Sequence, residues 1–299
     1  MGHEHTTKKL GWTILFNIVI TFTEYIGGIL SGSLALLADA GHNFSDVLSL
    51  ILGYIGERFS EKEVSPRHTF GFKRVEIFTA LINALALLAV GGIIIVEAAR
   101  RYNDAQEVNI ALMLGVGIIG LLGNALSILF LFKEKEGSLN MKAAYLHLFY
   151  DTLSSVAVIV GGVIMYFTGF LLLDLVVSVI IALLILWSGF EVVKKAVHIL
   201  MQGVPEDLDV EEVYNALLKV PGVQGVHSMH LWAIDSSEPF FSCHLCAERG
   251  GDALIKRVNA MLAVNYGINH TTLQLEKKLL CTDAKLCTRT TTKNSKVKP

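Results

Sequence analysis

Two histidine-aspartate pairs with one spacing could do chemistry in this chain: His42 stands four residues before Asp46, and His147 four before Asp151. In a helix of 3.6 residues per turn, positions i and i+4 share a face, so each pair presents an imidazole nitrogen beside a carboxylate oxygen. If two such helices face each other, the four groups close a tetrahedron, the geometry zinc prefers with nitrogen and oxygen ligands. Two carboxylates then balance a divalent charge. The same donors accept cadmium, cobalt, iron, manganese or nickel. One pair alone reads equally well as a hydrogen-bonded histidine and aspartate lining a helix interface, and a proton relay without metal uses the same residue types. Repetition of the pair within one apolar region favours the metal site.

The elements that must position these groups are membrane helices. The chain has 299 residues, 53% of them hydrophobic and 17% charged, with a mean hydropathy of +0.54, far from the composition of a soluble domain. Apolar runs long enough to cross a bilayer fall near residues 11–30, 34–56, 77–98, 110–132, 143–167 and 171–191. Both pairs therefore lie inside spans, where each ionisable group costs ~2.5–3.5 kcal/mol on insertion scales and needs a reason to be there. The second span also carries Asp39, and the first carries Glu24. These two carboxylates are accessory candidates that could neutralise the ion or relay protons. The amides Asn17, Asn43, Asn83 and Asn124 read as interhelical hydrogen-bonding groups.

Six spans put both termini on one side. On that side fall Lys8, Lys9, Arg58, Lys62, Arg67, Lys73, Arg74, Lys133, Lys135, Lys142, Lys194 and Lys195, against only Arg100 and Arg101 on the other. Positively charged loops stay cytoplasmic, so both termini and the C-terminal region are expected in the cytoplasm, with Cys243, Cys246, Cys281 and Cys287 as thiols. The first apolar run reads as a retained helix and not as a cleaved signal.

Residues 204–276 lose the long apolar runs and read as helix 209–219, strand 225–234, strand 240–248, helix 252–266 and strand 269–276, an order that suits a small α+β sandwich of ferredoxin-like type. The expected organisation is a cytosolic tail over 1–9, a six-helix transmembrane domain over 10–203, a cytosolic metal-binding and dimerisation domain over 204–280, and a flexible Cys-containing tail over 281–299. A net charge of −2 offers nucleic acid no clustered basic surface.

Three stretches carry a family resemblance: Ser33-Leu-Ala-Leu-Leu-Ala-Asp39-Ala-Gly-His42-Asn-Phe-Ser-Asp46, Arg67-His-Thr-Phe-Gly-Phe-Lys-Arg-Val-Glu76, and His147-x-x-x-Asp151. With Gly225-Val-His227-Ser-Met-His230-Leu-Trp232 and His270-Thr-Thr-Leu-Gln-Leu-Glu276, the chain resembles the cation diffusion facilitator family, in particular its zinc-exporting, CzcD-like branch. The resemblance implies a homodimeric, proton-coupled antiporter of zinc, cadmium or cobalt in the bacterial inner membrane, working by alternating access, with Zn²⁺ as substrate and regulatory ligand and H⁺ as counter-ion. It implies a cytosolic metal site at His227, His244 and His270, with His230 as a fourth ligand. The position two after His270 is often acidic in the family but here is Thr272, which leaves room for Cys281, or less readily Cys287, as a donor. His68 matches an interfacial metal ligand of some members, although its usual companion is replaced by Phe72.

Two other function classes compete. A membrane metalloprotease would need an open coordination position for water and has no His-Glu-x-x-His helix to supply it. A sensor anchored by its helices would have no use for buried ionisable groups in two separate spans.

Overall fold

The computed structural model describes residues 2–60, 64–103, 107–131, 139–236, 238–248 and 251–277; the side chains of some helical residues, His147 among them, are also outside the description. Cys281, Cys287 and the expected tail lie outside the described residues. The chain forms two compact units, one of residues 1–58 and 78–194, the other of residues 59–77 and 195–299. The loop 59–77 thus belongs with the C-terminal residues.

The first unit is built from six long helices: α1 (Gly2–Ser31), α2 (Leu34–Ser60), α3 (Arg74–Asn103), α4 (Ile110–Leu131), α5 (Leu139–Thr168) and α6 (Leu172–Leu200). Most outrun the apolar stretches that announce them, because the backbone ladder continues through polar ends such as Lys194 and Lys195 on α6. Segments of α3, α4, α5 and α6 are long and apolar enough to cross a membrane. Their outward faces are greasy: Ile93, Phe167 and Trp187 are 68%, 80% and 77% exposed. A water-soluble surface does not offer such a continuous apolar band, whereas acyl chains solvate it at no cost.

One end of the bundle explains how α2 is held. Gly32, at φ +72°, makes the turn between α1 and α2, a left-handed conformation that glycine adopts without strain. Ser33 caps α2 by accepting the Leu36 N–H at 3.1 Å. Asp174 on α6 accepts the Ser33 hydroxyl at 2.6 Å and the Leu34 and Ala35 N–H groups at 2.7 and 3.3 Å. The unsatisfied donors of a helix start are thus met by a carboxylate from another helix. Beside this staple lies an apolar cluster of Leu34, Leu36, Leu87, Ile94, Val158 and Ile181.

The second unit contains α7 (Val210–Leu218), β1 (Gly225–Ala233), β2 (Pro239–Cys246), α8 (Asp252–Tyr266) and β3 (His270–Glu276). Each element lies within about two residues of its expected bounds. The sheet order is β1-β2-β3, antiparallel between β1 and β2 and parallel between β2 and β3. The parallel pair needs a crossover, and α8 provides it. Val213, Leu217, Leu254, Val258 and Leu262 from the helices pack with Met229, Leu231, Phe241, Cys243 and Leu245, so these strand residues face the helices and their neighbours face away. Burial pushes the Cys243 thiol up to about 12, which fits a small core residue.

Candidate metal centres

The two ends of the histidine-aspartate pattern meet in the helical unit. His42 Nε2 on α2 lies 3.3 Å from Asp151 Oδ1 on α5 and 3.9 Å from Asp46 Oδ2. One donor atom from each of His42, Asp46 and Asp151 lies within 4.8 Å of the others. A tetrahedral zinc with ligands about 2.0–2.2 Å away separates its ligand atoms by roughly 3.3–3.6 Å, so small side-chain shifts suffice to close on an ion. Asp151 is 1% exposed, while the His42 and Asp46 side chains are 26% and 16% exposed. The donors thus form a site with one buried wall and one more open one. His147 stands one turn before Asp151 on α5; its side chain lies outside the described residues.

Both accessory carboxylates are buried next to this site. Asp39, one turn before His42, accepts the hydroxyls of Ser154 at 2.6 Å and Ser155 at 3.2 Å, and Ser154 stands three residues after Asp151. These bonds lock α2 to α5 beside the donors and fix the side-chain positions that the ion would meet. Glu24 on α1 accepts the Asn43 amide at 2.7 Å and is fully buried. A Cβ added at Gly120 of α4 would fall 2.1 Å from Glu24 Oε1. Only a glycine leaves room for the carboxylate between α1 and α4.

In the C-terminal unit a second donor set lies on the sheet face turned away from the helices. His227 pairs directly with His244 across β1 and β2, their ring centroids 5.0 Å apart. Glu276 on β3 bridges both imidazoles, Oε2 lying 3.0 Å from His227 Nε2 and Oε1 2.8 Å from His244 Nδ1. One donor atom from each of these three residues lies within 4.8 Å of the others. The set depends on a bulge: the register shifts between His227 and His230, and Ser228 takes φ +49°. The extra residue lets His227 face outward while Val226 and Met229 both stay buried.

The geometry separates the residues that the resemblance grouped. His270 pairs in register with Phe240, four positions from the Gln274 that stands beside His244, or roughly 13 Å along the strand. Its ring packs 4.3 Å from that of Phe240. His230 is exposed beside Ser242. Neither belongs to a three-donor cluster among the described residues. Glu276 is the donor that reading from sequence passed over. The signal was present as an alternation of two, His270, Thr272, Gln274 and Glu276 sharing one face, but choosing the last of the four needs the parallel register. His68 lies in the loop before α3, bridged to Ser65, with its ring 4.4 Å from that of Phe72. No donor cluster among the described residues includes it.

Comparison with known proteins matches the cation efflux transmembrane domain over residues 12–201 and the cation efflux protein cytoplasmic domain over residues 205–278. A cadmium, cobalt and zinc/H(+)-K(+) antiporter of Bacillus subtilis (strain 168) is 36% identical over 287 residues, covering 92% of each chain. The zinc transporter ZitB of Escherichia coli (strain K12) is 34% identical over 288 residues, again covering 92% of each. The metal cation efflux system protein CzcD of Cupriavidus metallidurans is 31% identical over 283 residues, covering 92% of this chain and 90% of that one. These are transport proteins and not enzymes. With both domain models matched in order along one chain of membrane helices and a small three-stranded domain, the chain belongs to the cation efflux family, the cation diffusion facilitators.

Proposed function

We propose that this protein exports divalent metal ions, zinc first and cadmium or cobalt also, from the cytoplasm in exchange for protons at a site formed by His42, Asp46, His147 and Asp151. The observation that carries the reading is a register. Position 42 meets 151 and position 39 meets 154, and each step up α2 is matched by an equal step down α5. Continuing the same antiparallel register would bring position 147 level with position 46, and His147 would then supply the fourth donor of a tetrahedron. The names of the relatives, two with zinc and one with protons and potassium as counter-ions, support the substrate and an exchange mechanism.

Coupling follows from ligand chemistry. Imidazole and carboxylate must be free of protons to hold a metal, so binding and protonation compete at one place. An inward-facing state would load the ion, the bundle would reorient between two arrangements, and protons arriving from outside would displace it. Asp39 and Glu24 would keep the neighbouring helices aligned and add negative charge near the path. This reading takes all six long helices as spans with both termini cytoplasmic, and a bacterial inner membrane as the setting. The cytoplasmic domain would be a ferredoxin-like variant that pairs two copies, with zinc at His227, His244 and Glu276 as a regulatory ligand. His230, His270 and Cys281 would serve a second ion or the site of the other copy.

The test is zinc flux into proteoliposomes with an imposed pH gradient. The reading requires zinc uptake that rises with the gradient and proton movement in the opposite direction. Flux unaffected by Asp46→Ala and Asp151→Ala together would sink it.

A further inference from the structure

The second unit holds a cavity outside both three-donor clusters, with the candidate ligand His68 in its wall. The loop before α3, the end of β1 and Gln202 border a half-open concavity of about 430 Å³, within the size range of small-ligand sites. Its walls include Arg67, Arg74, Lys73, Thr69, Gln202 and Trp232. Three of these six are cationic, so the balance of charge decides what could enter. Lys73 is already neutralised: it pairs with Glu238 and lies 3.9 Å from Asp235. Arg67 and Arg74 have no ion-pair partner among the described residues. Two guanidiniums therefore line one concavity without ion pairs of their own, beside a hydroxyl, a carboxamide and an indole.

Gln202 takes φ +59° as the left-handed residue that closes α6, with its own N–H donating to Ile199 O at 3.0 Å and the Gly203 N–H to His198 O at 2.8 Å. Trp232 is held by stacking on Phe240 at 5.9 Å, and Phe70 packs edge-on against the same ring at 5.7 Å. The loop carrying Arg67 is thereby pinned to the strand carrying Trp232.

Position along the chain narrows the ligand. Arg74 is the first residue of α3 and Gln202 comes two residues after α6 ends, and both helices are apolar enough to cross a bilayer. Residues at the ends of such helices stand at the depth of lipid headgroups. Guanidinium forks match phosphate oxygens two at a time. We propose that this cavity binds a phosphate-bearing anion, an anionic lipid headgroup or free phosphate, through Arg67 and Arg74. The proposal goes beyond metal export and does not depend on it, because its readout is local protection and not flux.

Hydrogen-deuterium exchange on the full chain in nanodiscs tests it. Amides of residues 65–75 should exchange at least about threefold more slowly in nanodiscs containing phosphatidylglycerol than in phosphatidylcholine alone, or in phosphatidylcholine on adding inorganic phosphate. Protection by the lipid only assigns the headgroup; protection by phosphate alone assigns the free anion. The double variant Arg67→Gln/Arg74→Gln should lose the difference, and Arg67→Lys/Arg74→Lys should retain part of it. Equal exchange under all conditions overturns the proposal. So does protection that persists in the glutamine variant, with exchange elsewhere in the chain reporting that the variant is folded.

Discussion

His42 Nε2 on α2 lies 3.3 Å from Asp151 Oδ1 on α5, so residues more than a hundred positions apart share one cluster of donor atoms. Substituting Asp151→Asn keeps the side-chain shape but removes the charge that offsets a divalent cation. Zinc flux in proteoliposomes should fall by more than the roughly 10–100-fold typical of losing an outer partner of a metal ligand. Flux within twofold of the parent would remove Asp151 from the site.

Gly120 faces Glu24 so closely that an added Cβ would sit 2.1 Å from the carboxylate. Gly120→Ala should displace Glu24 from Asn43 and cost about 1–3 kcal/mol as an overpacked contact. Thermal unfolding of the purified protein should register the loss. If Glu24 matters only for packing, Glu24→Gln should transport like the parent, since the amide still fills the same space.

Glu276 holds both His227 and His244. In a background silenced at the transport site by Asp46→Ala and Asp151→Ala, Glu276→Gln should weaken zinc binding measured by calorimetry about 10–100-fold. His270→Ala, roughly 13 Å away along the strand, should change it far less. Equal losses from the two would mean that His270 reaches the same ion.

Burial holds the Cys243 thiol up at about 12. The neutral form is the stable one in the folded domain, and an unfolded thiol ionises near 8.5. Stability contributed by the buried thiol is complete below the unfolded value and is lost as pH rises toward 12. Cys243→Ala should flatten the fall in unfolding temperature between about pH 9 and 11. Iodoacetamide at pH 8, followed by peptide mass mapping, should leave Cys243 unlabelled in the folded protein and label it in denaturant.

Asp174 satisfies three donors at the start of α2. Asp174→Ala should cost ~0.5–2 kcal/mol or more, the range for losing a helix cap, seen as a lower unfolding temperature. Asp174→Asn should recover part of it, because an amide oxygen still accepts.

The sequence by itself determined the class of the molecule and the residue types of the proposed transport site. Long apolar runs interrupted by His42, Asp46, His147 and Asp151 can be read without coordinates, since the cost of burying charge in lipid is paid residue by residue and needs no partner to be recognised. The order helix, strand, strand, helix, strand in the C-terminal region was equally legible, because periodicity and turn residues are local. What only the tertiary structure decided was which distant positions meet. The bulge at Ser228 and the parallel pairing of β2 with β3 bring Glu276 to His227 and His244 and carry His270 to Phe240. Asp174 reaches back to cap α2, and Arg67 and Arg74 share one cavity. Register and packing are set by contacts between segments far apart in the chain, and no local pattern of residues records them.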